Sequence, residues 1–371
     1  MRSRILLLAT VLASVLLPAP SASAADAAIN VIGRDRNNGW WSEMATAADG
    51  NPMIASFNAS NRSVEVRTCL NEDCTRVRTG VITSGFVFHD LDVAIGPDGL
   101  PVFAVTSVNV QFGGGSVAVV KCSDIHCEGA KATNRLWWGL DGGPGHVSID
   151  VDADNEPTVI YTARGSWNSA YSTTLVSCGD PACTSTRRET RPLGLARSHD
   201  VAIGPDGLPV LALGPAAGQP RVTLERCTEP TCRERTSTPI GSANAGAPRL
   251  ASNGKEITVV SVDEKSRIER VVCDIKECSR PETISDERVK AGLPNVAYVE
   301  SGLSVVGYTD HTDDGLWISR CARSCDREQI VAGRAGWNGL AVGVASSDGV
   351  AYISFHESTG RRLAWAQIGV L

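Results

Sequence analysis

The chain predicts an all-β fold, a seven-bladed β-propeller with four-stranded antiparallel blades, and three observations carry that prediction. The eleven residues Asp92 to Val102, DVAIGPDGLPV, return letter for letter at Asp200 to Val210. Seven tight polar turns, at Asp49-Gly50, Asp98-Gly99, Asp154-Asn155, Asp206-Gly207, Asn253-Gly254, Ser301-Gly302 and Asp348-Gly349, follow one another at spacings of 49, 56, 52, 47, 48 and 47 residues. The twelve cysteines fall into six close pairs, one per repeat. A period near fifty, sustained around the chain, is the signature of a closed repeat array whose units bury their apolar faces against neighbours.

Within a repeat the elements follow from local pattern. An apolar run leads into the turn, and a second one follows it, as in Pro101 to Thr106 and Thr158 to Thr162. β-Branched and aromatic residues dominate these runs and turn residues bound them, which reads as strand. A third run leads into each cysteine pair: Ser63 to Arg67, Ser116 to Val120, Thr173 to Val176, Arg221 to Leu224, Arg267 to Val271 and Leu316 to Ser319. After the second cysteine a polar stretch is expected, such as Thr184 to Arg191 or Arg233 to Thr238, and its charge suits an outermost edge strand. Each repeat thus supplies strands A to D of one blade.

The pairs Cys69/Cys74, Cys122/Cys127, Cys178/Cys183, Cys227/Cys232, Cys273/Cys278 and Cys321/Cys325 recur once per blade, so local disulfides are expected, each a hairpin clip. A structural zinc site needs four ligands converging on one ion, whereas neighbouring pairs lie a blade apart. Each bridge closes a very small loop, and chain entropy limits its stabilisation to roughly 2 kcal/mol.

The seventh repeat stops short. Leu340 to Val344, Val350 to Phe355 and Leu363 to Gln367 give three strands and no cysteine pair. Ile29 to Gly33 lies before the first repeat, and it is expected to supply the missing strand and close the ring. At the very start, Arg2 and Arg4, the apolar run Ile5 to Leu17 and the small residues Ala22 to Ala24 read as a signal peptide over residues 1–24. The mature chain, 25–371, then forms one β-propeller domain without linker or second domain. Losing two arginines takes the formal net charge from −6 to −8. That balance, with no apolar run long enough to span a bilayer, argues against nucleic acid and against membrane insertion. A secreted, extracellular monomer is the expectation, and twelve cysteines fit an oxidising destination.

Strand A of a propeller lines the central channel, so A–B and C–D turns share one face and B–C and D–A loops share the other. The first face carries the near-identical turns and reads as framework. The second carries the uneven loops, including 107–116, 136–146, 285–294 and 333–338, and binding is expected there. Two sets of residues are candidates. Glu43, Asp92, Ser148, Asp200, Arg249 and Asn295 stand early in successive A strands, with His89, His146 and His199 just upstream. Around one channel mouth they form a polar, mostly acidic ring that would suit a cation or a basic ligand group; His89, Asp92, His199 and Asp200 are the metal-ligating types among them. The structural alternative is that these groups bond backbone of adjacent blades. The second set is Trp40, Trp41, Trp137, Trp138, Trp167 and Trp337 near the loops, where rings stack on sugars, anchor a protein or wedge between blades. No cofactor is expected beyond a cation in the channel.

No nucleophile elbow, His-Glu-x-x-His helix, phosphate loop or dinucleotide fingerprint is present. The Asp-boxes of sialidases are absent too, so that family is matched in architecture alone. With one Cys-x4-Cys clip per blade, the chain resembles the secreted actinobacterial propellers of the dispase autolysis-inducing type. That resemblance implies a non-enzymatic protein that binds another protein, acts on a secreted metalloprotease by promoting its autolysis, and serves as a transglutaminase substrate; the glutamines this chain has available are Gln111, Gln219, Gln329 and Gln367. A glycan-binding lectin is the second expectation and a sialidase-like glycoside hydrolase the third.

Overall fold

The structure, a computed structural model, describes residues 28–31, 38–71, 73–83, 87–108, 114–132, 134–139, 143–166, 169–185, 189–194, 198–215, 220–243, 245–285, 294–300, 302–310, 314–331, 343–347, 349–357 and 362–369. Residues 1–24, expected to be a signal peptide, lie outside them, as do Trp167, Trp337, Gln111, Gln219 and the side chain of Trp40.

Seven four-stranded antiparallel sheets make up the fold. Their inner strands are Asn38–Thr46, Val87–Ile95, Pro144–Val151, His199–Ile203, Gly246–Ser252, Asn295–Glu300 and Gly343–Ser347, in blades 1 to 7. Blades 1 to 6 run A-B-C-D outward in chain order. In blade 7 the outermost strand is Ala28–Val31, which pairs with Arg362–Gly369 in the register Ala28↔Gln367 to Val31↔Ala364. The ring therefore closes between the two ends of the repeat array, as the shortened seventh repeat predicts. Blade 5 departs from the plan, because its outer strand is only Glu282–Thr283. Pro281, with no N–H to give the ladder, stands directly before it.

The core is divided by the architecture. Seven hydrophobic clusters among the described residues map one to one onto the seven seams between adjacent blades. Blade 2 shows why its B strand reads as a continuous apolar run. Phe103 and Val105 enter the seam with blade 1, while Val102 and Ala104 enter the seam with blade 3. Successive side chains leave opposite faces, and both faces are buried. Trp365, Tyr352 and Met44 fill the seam between blades 7 and 1, with the indole fully buried.

All six expected disulfides form: Cys69–Cys74, Cys122–Cys127, Cys178–Cys183, Cys227–Cys232, Cys273–Cys278 and Cys321–Cys325. Each packs into the seam with the preceding blade; Cys178 and Cys183 of blade 3, for example, lie against Val102 and Val117 of blade 2. The second cysteine of four clips, Cys74, Cys127, Cys183 and Cys232, is buried and has φ between 50° and 57°, the left-handed turn that brings the chain back within five residues. The clip loops also accept bonds across the seam. Thr68 Oγ1 donates to the Ile125 carbonyl at 3.0 Å, and Ser177 Oγ donates to the Pro230 carbonyl at 3.1 Å.

Cys278 and Cys325 are set differently from the second cysteines of the other four clips. Neither takes the left-handed turn, and both are only half-buried. Cys278 faces Cys273 in an isolated antiparallel bridge, and Cys325 faces Cys321 as the last rung of the C–D ladder. Their Cα atoms stand 4.0 and 4.1 Å from those of their partners, against 4.7 to 4.9 Å in the other four clips. In blade 6 the polar outer strand thus begins at the second cysteine itself, Cys325–Val331, rather than after it. The loop there is one residue shorter, so the hairpin turns within Ala322, Arg323 and Ser324 and leaves no room for the extra turn.

Candidate functional site: a charged plug in the axial channel

The inner strands bring Glu43, Asp92, Ser148, Asp200, Arg249 and Asn295 together about the axis, and add Asp90 and Asp150, which the sequence reading passed over. Strand alternation held the signal, since Asp90 lies two residues before Asp92 and Asp150 two after Ser148. The inner strands of blades 1, 2, 3 and 5 carry a register shift just ahead of these residues, at Asn38/Ser42, Phe88/Asp90, Pro144/Val147 and Gly246/Arg249. Such bulges re-aim the side chains that follow.

Most of the carboxylates are committed across seams. Asp90 Oδ2 accepts the Val147 amide at 3.0 Å, and Asp92 Oδ2 accepts that of Ile149 at 2.8 Å. Asp150 Oδ2 accepts the Ile203 amide at 2.6 Å, and Asp200 Oδ2 that of Leu250 at 2.6 Å. Ser148 Oγ donates to Asp200 Oδ1. Blades 2, 3, 4 and 5 are thus belted together by side chains bonding the next blade's backbone. Across the channel, Arg249 of blade 5 donates to Glu43 Oε1 of blade 1 at 3.5 Å and stands 4.0 Å from Asp200. Asn295 of blade 6 donates to Glu43 Oε2 at 2.8 Å.

One guanidinium serves several buried acids, and the pKa values follow. Burial drives the Glu43 carboxyl well above its usual range against the pull of Arg249. Burial, then the charge of Asp200, lifts Asp92 to about 7, over the opposing Arg249 and the Ile149 and Ser148 hydrogen bonds. Asp150 is lifted to about 6, because burial outweighs the Ile203 and Val151 amides. Burial also raises Asp200, despite Arg249 and Ser148. Asp90 is the exception. Burial pushes it upward, but the hydrogen bond with His146, its charge and Arg249 outweigh burial and hold it below the usual range. Arg249 stays fully charged: burial works against the charge, and Glu43, Asp200, Asp92 and Asp90 override it.

The plug divides the channel. Toward the uneven loops stand His89, exposed, and His146, whose Nδ1 is 3.4 Å from Asp90 Oδ2. His199 is 3 % exposed, and burial, then the charges of His146 and Arg249, depresses its pKa to about 3, so it is neutral. Partial desolvation of the ring likewise lowers His89, over the opposing charge of Asp90. Toward the A–B turns the channel widens into a cavity of about 510 Å³, lined by Glu43, Asp92, Asp150, Asp200, Arg249 and Asn295 at its floor and by Thr46, Ser252 and Tyr298 nearer the turns. In blades 1 and 2 the inner strand begins five residues before Glu43 and Asp92, so these groups sit mid-strand, whereas Asp200 and Asn295 stand at the start of theirs. Among the described residues no group of three or more His, Cys, Asp or Glu side chains is placed to hold a metal ion.

The tryptophans separate by environment. Trp41 is half-buried against the blade 1–2 core, its ring 6.2 Å from that of His89. Trp137 packs into the blade 2–3 seam, whereas its neighbour Trp138 is 42 % exposed on the outer strand with the Arg135 guanidinium 4.6 Å over its ring. Alternation on one strand sends the two rings to opposite faces.

No family model matches the chain, and no curated protein matches it in sequence. Solved structures do resemble its fold. An α-L-arabinanase of Penicillium chrysogenum, solved with arabinobiose, aligns with TM-score 0.54 at 9% identity over 92% of this chain and 95% of its own. The Cps50 β-propeller domain of Myceliophteria thermophila aligns with TM-score 0.52 at 12% identity over 92% and 99%. A Hadza microbial sialidase aligns with TM-score 0.51 at 9% identity over 90% and 66%. The chain is a seven-bladed β-propeller. At such identities the likeness is one of architecture, which unrelated chemistries share.

Proposed function

We propose that this propeller is a secreted, non-enzymatic protein that works by binding another protein. The observation that carries the reading is the use made of the axial carboxylates. A glycosidase needs two carboxyl groups facing each other across a substrate. Here Asp90, Asp92, Asp150 and Asp200 each accept backbone amides of the next blade. Glu43 is held between Arg249 and Asn295. The acids are framework, and an irregular loop face on a rigid ring is the surface left for recognition. Six disulfides and the N-terminal signal-like segment support an extracellular site of action.

The partner we name is an extracellular metalloprotease whose autolysis the protein promotes, a reading that rests on the resemblance in clip pattern. Co-incubation with a thermolysin-like protease should speed disappearance of the intact protease on a gel; an unchanged rate removes this partner. Transglutaminase modification would fall on Gln111 or Gln219, because Gln329 and Gln367 are half-buried within paired strands. Labelling with a fluorescent amine followed by peptide mapping tests the assignment. A panel of fluorogenic arabinosides and sialosides should show no turnover, and turnover of any of them would overturn the non-enzymatic reading.

One observation favours a lectin as the second reading. The exposed Trp138 ring, braced by Arg135, is the type of surface on which a sugar face stacks. A glycan array should then show binding that Trp138→Ala abolishes.

A further inference from the structure

The sixth clip differs from the others in what stands against its second sulfur. Cys321 is fully buried in the seam with blade 5, whereas Cys325 is half-buried and follows the exposed hairpin loop Ala322 to Ser324. Arg270, on the third strand of blade 5, reaches across that seam. Its Nη1 donates to Cys325 Sγ at 3.4 Å, and its Nη2 donates to the Ala322 carbonyl at 3.1 Å. Glu282, on the short outer strand of blade 5, lies 3.5 Å from the same guanidinium and 4.0 Å from the sulfur. The Arg270 side chain is 7 % exposed and that of Glu282 45 %. Water therefore screens the carboxylate more than the cation, and the net field at the sulfur is positive. Arg323 and Asp326, one charge of each sign, flank Cys325 on the hairpin itself.

The other clips supply the comparison. Cys74, Cys127, Cys183 and Cys232 are buried in their seams, out of reach of a nucleophile in solution. Cys278 is half-buried like Cys325, but its loop carries Asp274 and Glu277 against the single cation Lys276. Among the described residues, Cys325 Sγ is the one disulfide sulfur that a cation contacts. Thiol–disulfide exchange begins with a thiolate attacking an accessible sulfur, and it brings negative charge there. Access and an adjacent cation both favour it.

We propose that the Cys321–Cys325 clip is a thiol-exchange site, at which a small thiol of the glutathione class becomes attached to Cys325 while the other five clips stay closed. The thiolate attacks Cys325 Sγ and forms a new S–S bond there. The bond to Cys321 breaks, and its electron pair leaves on Cys321 Sγ, which takes a proton from water. The products are a mixed disulfide on Cys325 and a neutral thiol on Cys321; the attacking thiol is the sole co-reactant. A neutral thiol suits the apolar seam around Cys321, among Ile268, Val306 and Tyr308. Arg270 stabilises the charge that the attack brings to Cys325. The rungs from Leu316↔Val331 to Arg320↔Asp326 still hold the hairpin, so exchange leaves blade 6 in place. Attack by Cys321 on the mixed disulfide expels the small thiol and restores the clip.

The test is incubation of the folded protein with reduced glutathione in mildly alkaline solution, followed by acid quenching, alkylation of free thiols and peptide mapping by mass. Glutathione should appear on Cys325 and the alkyl label on Cys321, about tenfold faster than either appears at the Cys273–Cys278 clip, with the four buried clips slower still. Arg270→Gln should slow exchange at Cys325 by about tenfold, Arg270→Lys should restore most of the rate, and Glu282→Gln should raise it. Where loss of Arg270 disturbs the seam, Glu282→Gln decides, because its side chain is the more exposed of the two; a rate that does not rise then counts against the site. Exchange that starts at another clip, glutathione found on Cys321, equal rates in the wild type and Arg270→Gln, or no modification at all overturns the proposal. None of these outcomes bears on the protease co-incubation, so the two readings fail separately.

Discussion

Arg249, carried by the fifth blade, donates to Glu43 Oε1 of the first at 3.5 Å, so a single guanidinium joins two sheets that share no seam. Both side chains are more than nine-tenths buried. A buried ion pair of this kind holds the inner strands in place around the axis rather than driving the fold, because desolvation of both groups offsets most of their attraction.

Removing one partner should therefore cost more than removing both. Arg249→Met leaves Glu43 and Asp200 without their cation and is expected to lose about 3–5 kcal/mol. The double variant Arg249→Met/Glu43→Gln should recover a substantial part of that loss. Denaturant titrations of the two variants and the wild type give the comparison, and equal losses would show that the pair does not act as a unit.

The raised acids also set a pH dependence. Asp92 at about 7 and Asp150 at about 6 hold protons in the folded state that the unfolded chain has already released. Their contribution is fully present below the unfolded carboxylate range near 4 and is lost as pH rises toward 7. The charges that act on this titration are Asp200 and Arg249 for Asp92, and Asp200 and Asp152 for Asp150. His199 acts in the opposite sense, since its folded pKa of about 3 makes it lose stability as pH falls below its unfolded value near 6.5. Asp92→Asn should flatten the decline between pH 5 and 7 in melting temperature measured against pH, and an unchanged slope would remove Asp92 from the account.

Ring closure depends on the N-terminal strand. A chain beginning after Val31 loses the Ala28–Val31 ladder and exposes the edge of Arg362–Gly369. It should melt at a lower temperature and self-associate, because an uncovered strand edge templates pairing. Sedimentation and thermal melts of the shortened chain are the measurement.

The blade 7–1 seam offers a test by truncation. Trp365→Ala removes a fully buried indole and should cost about 3–5 kcal/mol. Trp365→Phe keeps most of the volume and drops an indole N–H that has no acceptor, so its cost should stay under about 1.5 kcal/mol. The exposed Trp138→Ala serves as the control and should fall within about 0.5 kcal/mol of the wild type.

Blade number, clip pairing and the shared seventh blade were all readable before any coordinates, because each is written into local spacing. The repeat of DVAIGPDGLPV fixes equivalent turns, and a cysteine five residues from another has little else to pair with. The form of the clip was not readable throughout. Cys273 and Cys278 share the spacing of the first four pairs, yet Cys278 meets its partner as a ladder bridge, as Cys325 does, and not through a left-handed turn. The membership of the axial set was half readable. Asp92 and Asp200 stand in the repeated motif itself, whereas Asp150 lies in a copy that reads DVDADNEPT and carries no such flag. The height of these residues along the axis was not readable, because a register shift ahead of Glu43, Asp92 and Arg249 changes where a residue lies without leaving a mark in the sequence.

Periodicity, turn chemistry and cysteine spacing alone settle a closed ring of seven sheets, six of them clipped, since those signals act over distances of a few residues and repeat. Which carboxylate bonds which neighbouring blade, that one arginine serves Glu43, Asp90, Asp92 and Asp200 together, and that a cavity lies under the A–B turns belong to the assembled ring. Those relations join residues 49 to 206 positions apart, from Asp200–Arg249 to Glu43–Arg249, and it is packing about the axis that brings them within reach.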